Sequence, residues 1–378
     1  MKIMIGADLV PTPTNIELFK QGDAKTIVGE RFLKVMQDCD YRIFNLELAL
    51  TDKETPIVKA GPNIGAPTEC INGYKALGVD FLGVSNNHVL DHGYEGFVST
   101  MKTLDGAGIA HCGCGLTKEE ASKPYIFEKD GIKVGIYACC EHEFSWVEDY
   151  GFGANGFDAL DSLDHITELK KQVDYCIVLY HGGKEHYQYP SPYLHKVCRK
   201  IVEKGADIVL CQHTHCVGTE MDHAGGKIIF GQGNFVFAKN YAHNPLWGDG
   251  FVVIADVTKD GVKYEYVPYN KTEVGIEMTD STEILDGLKE RSKQILEPGF
   301  IEKNFAEMAE KTVYSRYVKN MIKAYIDPEM TEEEFFANYK GNGFFHFAEC
   351  EVHRECVITG LRKKLGRGKW GEFKDLNK

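Results

Sequence analysis

The run Ile208-Val209-Leu210-Cys211-Gln212-His213-Thr214-His215 decides how this chain is read. An apolar stretch of this length, entered from Gly205-Ala206-Asp207, reads as a buried strand. Two histidines follow it with one residue between them. If the backbone bends just past the strand end, both rings turn into one pocket. Neutral imidazole nitrogen there suits zinc, iron, manganese or cobalt. Alone, the pair reads equally well as two surface histidines, so the weight falls on the rest of the chain.

The same pattern recurs on either side. Residues 3–5 read as a strand running into Gly6-Ala7-Asp8, and residues 41–46 as one delivering Asn45-Leu46-Glu47. Residues 80–84 end at Ser85-Asn86-Asn87-His88, residues 174–180 at His181, and a strand beginning at 228–230 leads to Gly233-Asn234. A further strand is expected at 133–139, and a hairpin at 251–257 and 262–267 around Asp260-Gly261. Between them, residues 25–39, 69–77, 96–107, 163–171 and 192–204 read as helices, and 142–158 as an irregular loop. Alternating strands and helices mean an α/β core. Beyond residue 277 the sequence turns charged and helical, at 283–296, 304–326 and 331–339. The expected division is therefore 1–276 for the core and 277–378 for a helical C-terminal extension.

The 378 residues carry 43% hydrophobic and 26% charged side chains, ordinary for a globular protein. A formal net charge of -13 and a pI near 5.6 argue against nucleic acid or an anionic membrane surface as the main partner. The twelve cysteines fall singly or in odd pairs such as Cys139-Cys140, which suits reduced, packed thiols better than a disulfide framework. No stretch is long and apolar enough for a membrane span or a signal h-region. The expectation is a cytoplasmic protein, loosely associated at most with a membrane machine.

A lone polar residue at a strand end is usually a turn residue. Asp8, Glu47, Asn87-His88, His181, His213, His215 and Asn234 at successive strand ends are harder to dismiss, because strands of one sheet share a C-terminal edge. Converged, they offer carboxylates, an amide oxygen and imidazoles enough for two divalent ions about 3.5–4 Å apart. Mixed nitrogen and oxygen donors favour manganese, iron, zinc or cobalt over magnesium or calcium.

These motifs, in this order, resemble the CapA family of poly-γ-glutamate capsule synthesis proteins, within the calcineurin-like metallophosphatase superfamily. Asp91, Gly93, Gly183 and Glu185 extend the match, which covers roughly residues 3–257. The resemblance implies a metallophosphatase-like αββα sandwich holding one or two divalent transition metal ions, with Mn, Fe or Zn expected. It implies Asp8 and His215 on the first metal, Glu47 bridging, and Asn87, His181 and His213 on the second. His88 would be the general acid, oriented by Asp91. The chain departs from the pattern in four places. Val10 stands where metallophosphatases usually carry a metal-binding His, and Glu47 where they bridge with Asp. Gly182 replaces the usual Trp after His181, and Cys211 a usual Gly.

The remaining candidates divide between function and packing. Glu185 and Asn234 are assigned to substrate binding or ligand positioning. Cys211 and Cys216 flank the histidine pair on expected opposite faces. His346, Glu349, Cys350, His353 and Cys356 have helical three- and four-residue spacing, open to a second metal site. Their neighbours Phe344, Phe345 and Phe347 favour core packing instead, and a third reading has this helix lend Glu351 or His353 to substrate binding. Tyr187, Tyr189 and Tyr193 read as a pocket rim or as loop anchors, and Lys363, Lys364, Arg367 and Lys369 as a solvated face.

The reading is a metal-dependent hydrolase or transferase in capsule or poly-γ-glutamate biosynthesis, its metal-bound hydroxide attacking a phosphoester. Its substrate would be an anionic small molecule or poly-γ-glutamate, with capsule synthesis proteins as partners. The alternatives are a γ-glutamyl amide hydrolase or transferase, and a non-catalytic polymer-binding or assembly component of a capsule machine.

Overall fold

Two mixed β-sheets lie face to face in a computed structural model that describes residues 1–237, 244–319, 331, 334, 343 and 346–365. In chain order the strands are β1 (Lys2–Asp8), β2 (Tyr41–Asn45), β3 (Ala49–Leu50), β4 (Gly65–Ala66), β5 (Phe81–Gly83), β6 (Ala110–Cys112), β7 (Cys114–Gly115), β8 (Tyr125–Lys129) and β9 (Ile132–Cys140). They continue with β10 (Gly153–Ala154), β11 (Tyr175–His181), β12 (Ile208–Gln212), β13 (Glu220–His223), β14 (Gly226–Ile229), β15 (Asp249–Thr258), β16 (Gly261–Lys271) and β17 (Ile276–Met278). The first sheet has the order β17-β16-β15-β1-β2-β5-β6, the second β13-β14-β12-β11-β9-β8. The centre of each is parallel: β1, β2, β5 and β6 in one, β9, β11, β12 and β14 in the other.

Burial on both faces explains the continuous apolar runs. Every residue of β11 is buried. Ile177 and Leu179 point inward, where with Ile208 and Leu210 they meet Ile3, Ile5, Ile43 and Phe81 of the other sheet. Val178, Tyr180, Val209 and Cys211 point outward under the helices Asp161–Lys170 and Pro192–Glu203. Met4, Phe44 and Leu82 face the opposite way, under Glu30–Gln37 and Ile71–Ala76. The result is the expected α/β, helix–sheet–sheet–helix order. Pro192–Glu203 shows the local logic: the Ser191 side chain accepts from Leu194 N at 3.1 Å, Pro192 opens the helix, and Leu194, Val197, Cys198, Ile201 and Val202 form its buried stripe.

Some elements differ from expectation. The helix expected over 25–39 is two, Ala24–Val28 and Glu30–Gln37, because Gly29 adopts a positive φ of 72° between them. β8 and β9 form an unforeseen hairpin on Asp130-Gly131, whose φ values of 55° and 71° suit a two-residue turn. The division expected at 276/277 falls inside β17, which pairs with β16 at the edge of the first sheet. Beyond it come Glu283–Gln294 and Phe300–Thr312, a π-helical turn over Val313–Val318, and the helix Glu351–Lys364. Phe305, Tyr317, Cys350, Val352 and Cys356 form a small core among these last elements. Residues 320–326 of one expected helix, most of the one at 331–339, and Phe344, Phe345, Arg367 and Lys369 lie outside the described residues.

Candidate metal centre

The strand ends do converge, but along the facing rims of two sheets rather than one. Asp8 closes β1, Glu47 follows β2 by two residues and Asn87 follows β5. His181 closes β11, and His213 and His215 follow β12. Directly after β12 the backbone bends as the His-x-His pairing requires: His213 and His215 have φ values of 81° and 54°. Left-handed backbone at a non-glycine residue costs of order 1–3 kcal/mol and concentrates at functional sites. Here it turns both rings inward.

Two groups of donors share one member. The ligand atoms of Asp8, Glu47 and His215 lie within 4.8 Å of one another, as do those of Glu47, His181 and His213. Glu47 is wholly buried, and neither of its oxygens takes part in a hydrogen bond. His181 Nε2 lies 3.1 Å from Glu47 Oε1 and 3.0 Å from Asn87 Oδ1. Asn45 Nδ2 donates to Asp8 Oδ1 at 2.7 Å and sits 3.3 Å from His181 Nδ1, fixing both. A buried carboxylate with only imidazoles beside it is expensive unless a cation meets it. The donor set therefore fits a divalent transition metal ion.

The protonation pattern agrees. Burial works against a charged His215, yet Glu47 and the Asp8 hydrogen bond lift its pKa to about 9. Burial pushes Asp8 up, but the hydrogen bond and charge of His215, with His181 and Asn45, leave it below the usual carboxylate value. Burial and the neighbouring histidines drive His213 well below the usual imidazole value, which keeps its lone pairs available.

Beside this centre, His88 Nδ1 lies 2.6 Å from Asp91 Oδ2. Asp91 is buried, pairs with buried Lys59 and accepts from Ile64 N. Burial raises its pKa, but the charges of His88 and Lys59 outweigh that and hold it down. Glu185 is half-buried, its carboxylate within 4.8 Å of the His213 and His215 nitrogens. Asn234 is buried with its amide nitrogen 2.8 Å from Asp8 Oδ2 and its oxygen 3.0 Å from Lys271 Nζ. Val10, at the position of the missing histidine, packs into the apolar layer with Leu9.

Four residues here escaped the sequence reading. Lys59 comes from a loop rich in Pro and Gly that gives no periodic signal. Lys271, nearly fully buried at the end of β16, rests 4.5 Å from the Trp247 ring centroid. Glu141 and Glu143 follow β9 and line a narrow cavity with Asn87, His181 and His213. Those two were legible by the rule applied to every other strand: the apolar run to Cys139-Cys140 ends in a carboxylate. Burial, then the charges of Glu351 and Glu143, push Glu141 well above the usual range, which makes it a buried neutral acid. Gly182 leaves room for it, since a Cβ there would sit 2.6 Å from Glu141 Cγ.

Several of the flanking candidates have packing, hydrogen-bond or ion-pair partners. Cys211 points outward, its Sγ 3.5 Å from that of Cys198. Tyr187 packs on Phe305, and Tyr189 donates to Gln294 at 2.6 Å. Lys363 and Lys364 reach Glu310. Among the described residues no helix is long and apolar enough to cross a membrane.

The chain is 27% identical over 216 residues to the capsule biosynthesis protein CapA of Bacillus anthracis, covering 54% of this chain and 52% of that protein. It is 26% identical over 209 residues to the PGA biosynthesis protein CapA of Bacillus subtilis strain 168, covering 53% of each. It thus spans about half the length of these relatives. Among solved structures, a hypothetical protein from Thermus thermophilus aligns with a TM-score of 0.44 at 13% identity, over 72% of this chain and 100% of that one. A Staphylococcus aureus protein described as a candidate 5'-nucleotidase aligns with a TM-score of 0.43 at 14% identity, over 76% and 58%. The model of the bacterial capsule synthesis protein PGA_cap matches residues 2–239, and the chain belongs to that family.

Proposed function

We propose that this chain is a metal-dependent hydrolase or transferase of the metallophosphatase type acting in capsule biosynthesis, on a phosphoester of an anionic substrate. The observation that carries the reading is Glu47: buried, without hydrogen bonds, and common to two clusters of metal-ligand types. Asp8, Glu47 and His215 would hold one ion, and Glu47, Asn87, His181 and His213 the other. Divalent ions there supply Lewis acidity toward a phosphoryl oxygen and make an attacking water more acidic.

The chain's own groups do the rest. His88, held by Asp91, donates a proton to the leaving oxygen. Lys59, 3.1 Å from His88 Nδ1, keeps Asp91 ionised and in place. Glu185 and Asn234 position substrate and ligand. The burial of this floor excludes bulk water, which strengthens each electrostatic contact. The same arrangement serves a γ-glutamyl amide carbonyl, so the two substrates are separated by assay: phosphate release from phosphoesters against glutamate release from poly-γ-glutamate, in protein of measured metal content. Phosphate release that follows metal content supports the reading, and a fully loaded protein inert toward phosphoesters refutes it.

A non-catalytic, polymer-binding role is the second reading. Val10 in the apolar layer favours it, since it supplies no donor to the first metal position. Cytoplasmic placement and partnership with other capsule synthesis proteins belong to the same proposal.

A further inference from the structure

Glu143 stands between two groups of donors. Its Oε2 faces the main centre, 3.7 Å from His213 Nε2. Its Oε1 faces side chains from the C-terminal extension: Cys350 Sγ at 3.3 Å, His346 Nε2 at 3.6 Å and His353 Nε2 at 3.8 Å. All four residues are at least nine-tenths buried.

The spacing is informative. A hydrogen-bonded imidazole and carboxylate approach to about 2.7–3.2 Å, so the two histidine contacts are too long for that. In a tetrahedral zinc site with bonds of about 2.1–2.3 Å, neighbouring ligand atoms lie about 3.4–3.8 Å apart. The three separations from Glu143 fall at or within about 0.1 Å of that interval. One of the two histidines also has the outer partner of a metal ligand. His353 Nδ1 lies 2.9 Å from the Tyr317 hydroxyl, which fixes the ring and leaves Nε2 for a ligand. His346 Nδ1 is buried with no hydrogen-bond partner.

We propose that Glu143, Cys350 and His353, whose ligand atoms lie within 4.8 Å of one another, form a zinc-type metal site next to the Glu47 centre, with His346 at its edge. Thiolate and imidazole select zinc over manganese, magnesium or calcium. Three protein ligands leave the fourth tetrahedral position to water. On binding, the Cys350 S–H bond breaks, a sulfur–metal bond forms and the proton goes to solvent. Glu143 and the thiolate then balance the dication. The Lys184 charge reaching His353 opposes binding, and the Glu351 charge reaching Cys350 offsets it. The ion would clip the last helix onto the loop after β9, a segment separated from Cys350 by 207 residues.

The Glu47 centre holds no sulfur, so sulfur ligation reports this site alone. Zinc is added to the full chain, excess is removed, and zinc-edge X-ray absorption and zinc content are measured. The proposal predicts a sulfur scatterer at about 2.3 Å in the wild-type protein. Cys350→Ser should lose that scatterer and about one equivalent of zinc, and Glu47→Gln should keep the scatterer. A zinc-loaded wild type without sulfur ligation overturns the proposal and leaves Cys350 a hydrogen-bond donor to Glu143. So does a sulfur shell that survives in Cys350→Ser.

Discussion

Replacing Glu47 with Gln removes a charge while keeping shape. Glu47 has no hydrogen bond to lose. An unsatisfied buried acceptor costs about 1–3 kcal/mol, and an amide can donate where a carboxylate cannot. After chelation and at a pH above 9, where His215 is neutral, the Glu47→Gln protein should be as stable as the parent within about 1 kcal/mol, or more stable. Metal linkage should behave oppositely. An ion present at 100 times its Kd adds about 2.7 kcal/mol to the wild type, roughly 3–4 °C in melting temperature for a chain of this size. The variant lacks the donor common to both clusters, so that increment should largely vanish. Scanning calorimetry of both proteins, chelated and with manganese or zinc, gives the four numbers needed. A chelated variant more than 2 kcal/mol less stable, with its metal increment intact, would refute the reasoning and make Glu47 a structural residue.

Three further outcomes follow from the same geometry. His88→Ala should retain its metal while turnover falls about 10²–10⁴-fold, and metal loss on elemental analysis would make His88 a ligand. Asp91→Ala strands the buried Lys59 ammonium and should cost about 3–5 kcal/mol in denaturant unfolding, whereas a loss under 1 kcal/mol would show Lys59 finding another partner. Burial lowers the His142 pKa, but hydrogen bonds to Glu349 and Asp149 outweigh it and raise it from 6.5 to about 8. A raised pKa stabilises the fold fully below 6.5 and loses that contribution as pH climbs through 8. Wild type minus His142→Gln should therefore shrink by about 1–2 kcal/mol between pH 6 and 9, and a flat difference would contradict the assignment.

The rim of candidate ligands was legible because its signal is local. A short apolar run fixes a strand, and the next polar residue falls at its end. Asp8, Glu47, Asn87, His181, His213 and His215 were found this way, and they meet although they belong to two sheets. What escaped depends on contacts across the fold. Lys59 reaches Asp91 from a loop without periodicity, and Lys271 enters from an antiparallel strand whose other residues face solvent in alternation. His346, Cys350 and His353 were visible as a helical spacing. Glu143 was legible as a carboxylate after β9, but nothing in local pattern joins that loop to the last helix. The expected division near residue 277 has the same difficulty: composition shifts there, while β17 continues the sheet across it.

The central claim is that a cation sits against the Glu47 carboxylate. Crystals of the full chain grown with manganese or zinc, with diffraction recorded above and below the metal edge, test it directly. The account predicts an anomalous peak within bonding distance of Glu47, bounded by His181 and His213 or by Asp8 and His215. An ion-saturated crystal with no peak at that carboxylate would contradict it.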